Sequence, residues 1–377
     1  MSDLVEEGSS VVEATAVDAI PENLPAGTSA FALNLEFSSP SDAKVPRVCY
    51  ALAHNRIPFV DSLTVRLADS SVPKKITIKI SGEWAANERS PIKETEFVLD
   101  APNAGASVEL SPVHQIQLSD IALAELEEMA PATLIVRLTD DLNRSQEFRY
   151  DIEVYSRDQW LNSPKMAVVT AAFVQPNHPD VNRVLSRAGE ILRQSGHAGI
   201  SGYQAAASGQ HHRIAEAIFL ALQEFIKLYI NPPASFEKLG QKLRPIDRVL
   251  EERQGTCIDL ACAYASCLEQ AGLNPIIFLV HQHAFSGYIA DDRMLNASLI
   301  DQWPAIQNLI DSKLLVGVET VCIPSGTSFS TAKSAVAEYL TEAKMAEIAK
   351  SQKSRKPPGN YLSSFQHDKF MSFFIRH

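Results

Sequence analysis

The feature that most restricts this chain is a change of hydrophobic period close to residue 157. Upstream of it apolar residues alternate with polar ones: Leu63, Val65 and Leu67; Ile76, Ile78 and Ile80; Leu134, Val136 and Leu138; Phe148, Tyr150, Ile152 and Val154. A period of two places one face of an extended strand on a core and the other in water. Turn-rich breaks such as "DSSVPKK", "DAPNAGAS" and "TDDLNRS" separate these runs. Strands joined this way meet through hairpins or Greek-key links, so residues 29–157 are expected to form an antiparallel β-sandwich. One helical interruption, "LSDIALAELEEMAPA", fits that plan, and His54 and His114 read as surface or internally satisfied histidines.

After Trp160 the period becomes helical. Val181, Val184, Leu185, Ala188, Ile191 and Leu192 follow the i, i+3, i+4, i+7 rule behind "HPD", where Asp180 is the expected cap. A second helix is expected over 212–229, with Ile214, Ile218, Leu222, Phe225 and Tyr229 on one stripe and a stop at "NPP". The His211–His212 pair at its start reads as surface. A third helix opens at Cys257 behind Thr256 as N-cap and closes at Gly272 and Pro275. Apolar runs at 276–280 and 284–289 predict a hairpin, and "LLVGVETVCI", 314–323, a further strand with Glu319 in its middle.

Strands and helices thus mix over 158–330, an α+β domain. The segment 331–377 reads as a helical tail, a "KSRKPPGN" break, and "KFMSFFIRH", an incomplete strand cut off before its partner. Residues 1–28 are acidic and small and are expected to be a flexible tail. Two domains also suit a length of 377 residues.

Charge narrows the function. A formal net charge of -11 disfavours a nonspecific nucleic-acid binder, because phosphate affinity comes chiefly from Lys and Arg releasing counterions. No direct nucleic-acid binding is expected. "MSDLVEEGSS" lacks the basic and apolar regions of a signal peptide, and no run approaches the roughly 20 apolar residues of a membrane helix. The expectation is a cytoplasmic protein without a membrane partner. The five cysteines, at 49, 257, 262, 267 and 322, contain no CxxC pair and read as reduced thiols. Helical spacing by five turns Cys257, Cys262 and Cys267 about 140° from one another, so no metal site is expected, and no cofactor.

Chemistry concentrates at "ERQGTCIDLACAYASCLEQAGL" followed by "VHQHAFSGY". A thiol at a helix N-terminus lies near unpaired N–H groups and the positive end of the helix dipole, which suit a thiolate nucleophile. Such a nucleophile needs a base and a third group to orient that base. His283 opens the next strand but one, and Glu319 lies on a strand expected beside it. The competing reading makes Cys257 one more buried thiol and Glu319 half of a structural ion pair with Arg or Lys. Asp259 and Arg253 flank the thiol either as solvated charges or as substrate contacts.

"GTCIDLACAYASCLEQAGLNPIIFLVHQHAFSGYI" resembles the transglutaminase-like (papain-like) cysteine hydrolase core, in which a Cys opens a helix, a His opens a strand and an acid lies on the next strand. The resemblance covers about residues 240–323. It implies Cys257 as nucleophile, His283 as base and Glu319 as orienting acid, acting on a protein or peptide amide bond through a thioester. Gln254 is then a candidate for the second oxyanion donor beside the Cys257 N–H. A wider resemblance covers most of residues 30–323. "CYALAHNRIPFVDSLTV", "AAFVQPNHPDVNRVL", "GYQ" at 202–204 and "PPASFEKLGQKLRPIDRVLEERQGTC" are similar to the N-terminal region of large bacterial superfamily 1 helicase-related proteins. That implies a helicase or nuclease partner and a setting in phage defence.

The chain departs from those patterns in three ways. It has no GxxxxGK[ST] stretch, so no ATP site is expected. Gln282 stands where the family usually has Gly, and could crowd the site or contact the substrate. Glu319 stands where Asp is common, with Asp291, Asp292 and Asp301 as substitutes. A function from another class also fits: a non-catalytic interaction module that docks a partner or a helicase.

Overall fold

The two periods separate in space as well as in sequence. In the computed structural model the chain divides into two compact units, Met1–Arg157 and Asp158–His377, with mixed α+β structure. The structure describes residues 30–38, 45–67, 73–85, 89–103, 106–160, 164–200, 209–231, 241–280, 283–291, 299–300, 303–340 and 371–374. The acidic segment 1–28, the "GYQ" of 202–204 and the "KSRKPPGN" break lie outside the described residues. Among the described residues no helix is long and apolar enough to cross a membrane.

The first unit follows β1 (Phe31–Phe37), β2 (Arg47–Val48), α1 (Tyr50–His54), β3 (Val60–Leu67), β4 (Lys75–Trp84), β5 (Thr95–Asp100), β6 (Ser107–Leu110), α2 (Asp120–Ala124), β7 (Ala130–Asp140) and β8 (Ser145–Val154). These strands make a three-stranded sheet, β1-β3-β6, and a five-stranded sheet, β2-β8-β7-β4-β5. Alternation becomes register directly: Ile78 and Ile80 on β4 face Leu138 and Val136 on β7, and all four are buried. The "TDDLNRS" break is the β7–β8 turn. Buried Asp140 holds it by accepting from Leu142 N, Arg144 N and Arg144 Nε at 3.0, 2.9 and 2.6 Å. Contacts between β1 and β8 link the sheets, with Tyr150 Oη donating to Leu33 O at 3.4 Å and the Phe37 and Tyr150 rings 6.0 Å apart.

The second unit runs β9 (Gln159–Trp160), α3 (Pro179–Gln194), α4 (Gln210–Phe225), β10 (Leu228–Tyr229), β11 (Gln241–Lys242), α5 (Ile246–Glu252), β12 (Gln254–Gly255), α6 (Cys257–Gln270), β13 (Asn274–Val280), β14 (His283–Ile289), β15 (Leu299–Ile300), α7 (Trp303–Asp311), β16 (Leu315–Val318), α8 (Cys322–Ser325), α9 (Phe329–Ala335) and β17 (Met371–Phe374). Its centre is α6, buried at every position from Ile258 to Leu268. A helix apolar all round must be enclosed, and Ala261, Ala263, Ala265 and Ser266 let neighbours approach closely. It packs on β13 and β14 and against α3, α4 and α5. Its two innermost hydroxyls are satisfied: Tyr264 Oη donates to Ala215 O at 2.9 Å, and Ser266 Oγ donates to Cys262 O at 2.7 Å.

The main sheet has the order β15-β17-β13-β14-β16. Gly287 is where β14 needs no side chain: a Cβ there would lie 2.4 Å from Val316 O and 2.8 Å from Phe278 Cε2. Its partner in register on β16 is Gly317. This close approach holds β14 against β16, and with it the chain that leads to Glu319.

Several local expectations are corrected. His178, not Asp180, caps α3, its ring accepting from Asp180 N at 3.2 Å, because Pro179 opens the helix. Helix α4 ends at Phe225 rather than Tyr229, since Ile226 turns extended and Leu228–Tyr229 pairs in parallel with Gln254–Gly255. His211 is buried, whereas His212 is exposed, its Nδ1 sharing a 2.6 Å hydrogen bond with Tyr288 Oη, so only the first of the pair is internal. The terminal strand is not unpartnered. β17 lies between β15 and β13, antiparallel to both.

Residues 30–157 expressed alone are expected to unfold in one cooperative transition, read by circular dichroism against temperature, because this unit closes its own sheets. Gly287→Ala should lower the stability of the full chain by about 1–3 kcal/mol, the usual cost of forcing a methyl into a packed site; thermal melting checks it.

Candidate functional site

The start of α6 is held by a buried carboxylate. Thr256 is the N-cap, its Oγ1 accepting from Asp259 N at 3.4 Å while Asp259 Oδ2 accepts from Thr256 N at 2.9 Å, which closes a capping box. Asp259 also accepts from Arg244 N at 2.8 Å and Arg244 Nη1 at 3.1 Å. Burial pushes its carboxyl above the usual range, against these hydrogen bonds from Thr256 and Arg244. The side chain flagged in the sequence as a substrate contact is thus fully enclosed and spent on anchoring the helix. The box satisfies two of the first four N–H groups of the helix and leaves those of Cys257 and Ile258 open.

Cys257 takes the first helical position and is partly exposed, whereas Cys262 and Cys267, five and ten residues on, are buried. Burial pushes the thiols of Cys262 and Cys267 well up. His283 begins β14 opposite Val280. Its Nε2 lies 2.8 Å from Glu319 Oε2, and its ring also hydrogen-bonds the Cys257 thiol. With Nε2 on the carboxylate, Nδ1 is the nitrogen left for the sulfur. Burial opposes a charged ring here, but the hydrogen bonds and charges of Cys257 and Glu319 outweigh it and push His283 up to about 9. Tyr339 stacks on the imidazole, with centroids 4.9 Å apart and planes 28° from parallel.

Glu319 is not in mid-strand. β16 ends at Val318 and the chain turns at once into α8, with Cys322 N donating to Glu319 O at 3.2 Å. The acid therefore stands at the strand's end, 3 % exposed, where a long side chain can reach back to His283. Its other oxygen accepts from Val321 N at 3.2 Å. Among the described residues no Lys or Arg pairs with it, so the alternative of a cationic partner finds no support.

The structure thus brings Cys257, His283 and Glu319 together. Gln254 lies on β12 with one N–H of its amide donating to Glu252 Oε2 at 3.3 Å. Arg253 is the C-cap of α5 in a left-handed conformation, φ 57°. Asp291 lies two residues past β14. Gln282, Asp292 and Asp301 lie outside the described residues. Among those described, no three His, Cys, Asp or Glu side chains gather where they could hold a metal ion.

Two residues at this site have no signal in the sequence. One is Tyr339, which stacks on His283. The other is Tyr229, whose phenol lies near the Cys257 thiol and is pushed up to about 12 by burial and then by the charges of Cys257 and Glu319. Helical spacing assigned Tyr229 to a stripe, and only the pairing of β10 with β12 takes it off the helix.

No family model matches the chain, and no curated protein matches it. Among solved structures, the chain aligns with "a putative protease from Parabacteroides distasonis" at 12% identity and a TM-score of 0.20, covering 61% of each chain. It also aligns with a family 76 glycoside hydrolase from a bovine Bacteroides thetaiotaomicron strain at 10% identity and a TM-score of 0.14, covering 64% of this chain and 53% of that one. The chain therefore spans less than two thirds of either protein, and likenesses this slight carry no argument about its fold or chemistry.

His283 titrates higher when folded than the about 6.5 of a free histidine. Its contribution to stability is therefore complete below about 6.5 and lost as pH rises through about 9. Glu319→Gln removes a charge that raises this value. The stability gap between wild type and Glu319→Gln should therefore narrow as pH climbs through that window, measured by thermal melting from about pH 6 to about pH 10. A gap independent of pH would mean that Glu319 does not act on the ring.

Proposed function

We propose that the second unit is a transglutaminase-like cysteine hydrolase that opens a protein or peptide amide bond through a thioester, and that the first is a β-sandwich joined to it. The observation that carries this reading is His283 set between the Cys257 thiol and the Glu319 carboxylate. Each group has the position its role requires. The thiol stands at a helix N-terminus with open N–H donors, a charged imidazole lies against it, and the acid holds the far side of the ring.

In this reading Cys257 Sγ attacks the carbonyl carbon as a thiolate, and the electron pair of the C=O bond moves to oxygen. The imidazolium of His283 then protonates the amine as it leaves, giving the thioester. His283, now neutral, takes a proton from water, which attacks the thioester and returns the sulfur as thiolate. Proton transfer of this kind is worth about 10²–10⁴-fold. Glu319 keeps the ring oriented and stabilises its positive form, a function whose loss costs about 10⁴-fold in related triads. The two sheets of the first unit, with β1 and β8 in contact, support the sandwich reading. The helicase-linked, phage-defence setting rests on the sequence resemblance alone and is proposed on that ground.

Iodoacetamide at neutral pH should modify Cys257 before any other thiol, located by peptide mass spectrometry. Cys49, Cys262 and Cys267 are buried, and burial pushes the partly exposed Cys322 upward. Cys257→Ala should abolish the fast phase while leaving the thermal midpoint within a few degrees. Labelling no faster than at Cys322 would defeat the hydrolase reading and favour an interaction module instead.

A further inference from the structure

A thiol attack needs a place for the negative oxygen that it creates. The open N–H of Cys257 supplies one donor at the start of α6. Gln254, the side chain the sequence offers for the second, has its amide nitrogen on Glu252. The residue that does meet the sulfur comes from the other strand of this small parallel pair. Tyr229 on β10 stands opposite Gly255 on β12, two residues before the nucleophile. Backbone bonds secure it on both sides, from Leu228 N to Arg253 O at 3.2 Å and from Ile230 N to Gly255 O at 3.1 Å. Its phenol lies near enough to the Cys257 thiol for the two to act on one another, while the residue as a whole stays 38% exposed.

We propose that the Tyr229 hydroxyl is a catalytic residue of this site, the second donor of an oxyanion hole whose first donor is the Cys257 N–H; the inference rests on the cysteine hydrolase reading. As Sγ bonds to the carbonyl carbon, the C=O electron pair moves to oxygen, which comes to lie about 3 Å from the sulfur. A hydroxyl held beside that sulfur by the pairing of β10 with β12 is placed to donate to the new oxyanion. No proton is transferred from Tyr229, and the oxyanion collapses to the thioester as the leaving group departs. Burial, then the negative charges of Cys257 and Glu319, push the phenol up to about 12, so it keeps its proton at neutral pH. Such a donor suits catalysis because it is in place before the negative charge develops on the oxygen.

The test compares two reagents on the full chain. p-Nitrophenyl acetate acylates a thiol through a tetrahedral oxyanion, whereas iodoacetamide alkylates it by direct displacement without one. Tyr229→Phe removes only the hydroxyl from a partly exposed ring. The expected result is acylation of Cys257 slowed about 10²-fold, with alkylation within about threefold of wild type. Unchanged acylation would overturn the proposal, and so would a rise in both rates, which would make Tyr229 a cap over the thiol. A parallel fall in both would overturn it too, reducing Tyr229 to a support for the sulfur. A wild-type Cys257 that reacts with neither reagent faster than Cys322 would instead sink the hydrolase reading itself, and this proposal with it.

Discussion

The site depends on one buried carboxylate. Asp259 ties the N-cap of α6 to the loop before α5 by accepting from Thr256 N, Arg244 N and Arg244 Nη1. A helix start shifted by one residue would rotate Cys257 by about 100° around the axis, carrying the thiol away from His283. Capping boxes are common, but here the box is enclosed and shared with an arginine, so its loss would leave polar groups unpaired in the interior. This network gives the Cys257 thiol a rigid origin.

The opposite wall is set by the sheet. β14 carries His283 at its first residue, and its antiparallel pairing with β16, Ser286 facing Val318, delivers the chain to Glu319 just as the strand ends. Gly287 lets the two strands close to a distance that no side chain would allow. α6 packs against β13 and β14, so Cys257 and His283 are fixed by the same helix–sheet interface. The core is therefore the framework of the site and not a separate feature.

Burial also sorts the thiols and carboxylates. Cys262 and Cys267 descend into the core along α6, where desolvation disfavours the thiolate, while Cys257 alone on that helix stands at its open end. Asp259 and Glu319 are both enclosed, yet their partners differ. Asp259 meets backbone N–H groups and an arginine, which hold a helix in place, whereas Glu319 meets a titratable ring. The first arrangement is suited to anchoring and the second to moving protons, because an imidazole can both donate and accept a proton.

Much of this was legible in the sequence because it is local. Alternation at Ile76, Ile78 and Ile80 is already a half-buried strand, Thr256 before an apolar stripe is already a helix start, and the runs flanking "HQH" are already a hairpin. Capping stereochemistry and side-chain periodicity act over a few residues, so the order Cys257, His283, Glu319 and the elements carrying the first two could be read directly. What only the tertiary structure decided involves segments far apart in the chain. Tyr229 reaches the thiol because β10 pairs with β12, Asp259 turns inward because Arg244 waits there, and β17 enters the sheet between β15 and β13. Glu319 leaves its strand because the turn into α8 begins at once. Each of these rests on non-local hydrogen bonds and desolvation, whose partners are chosen by packing and leave no period in the sequence.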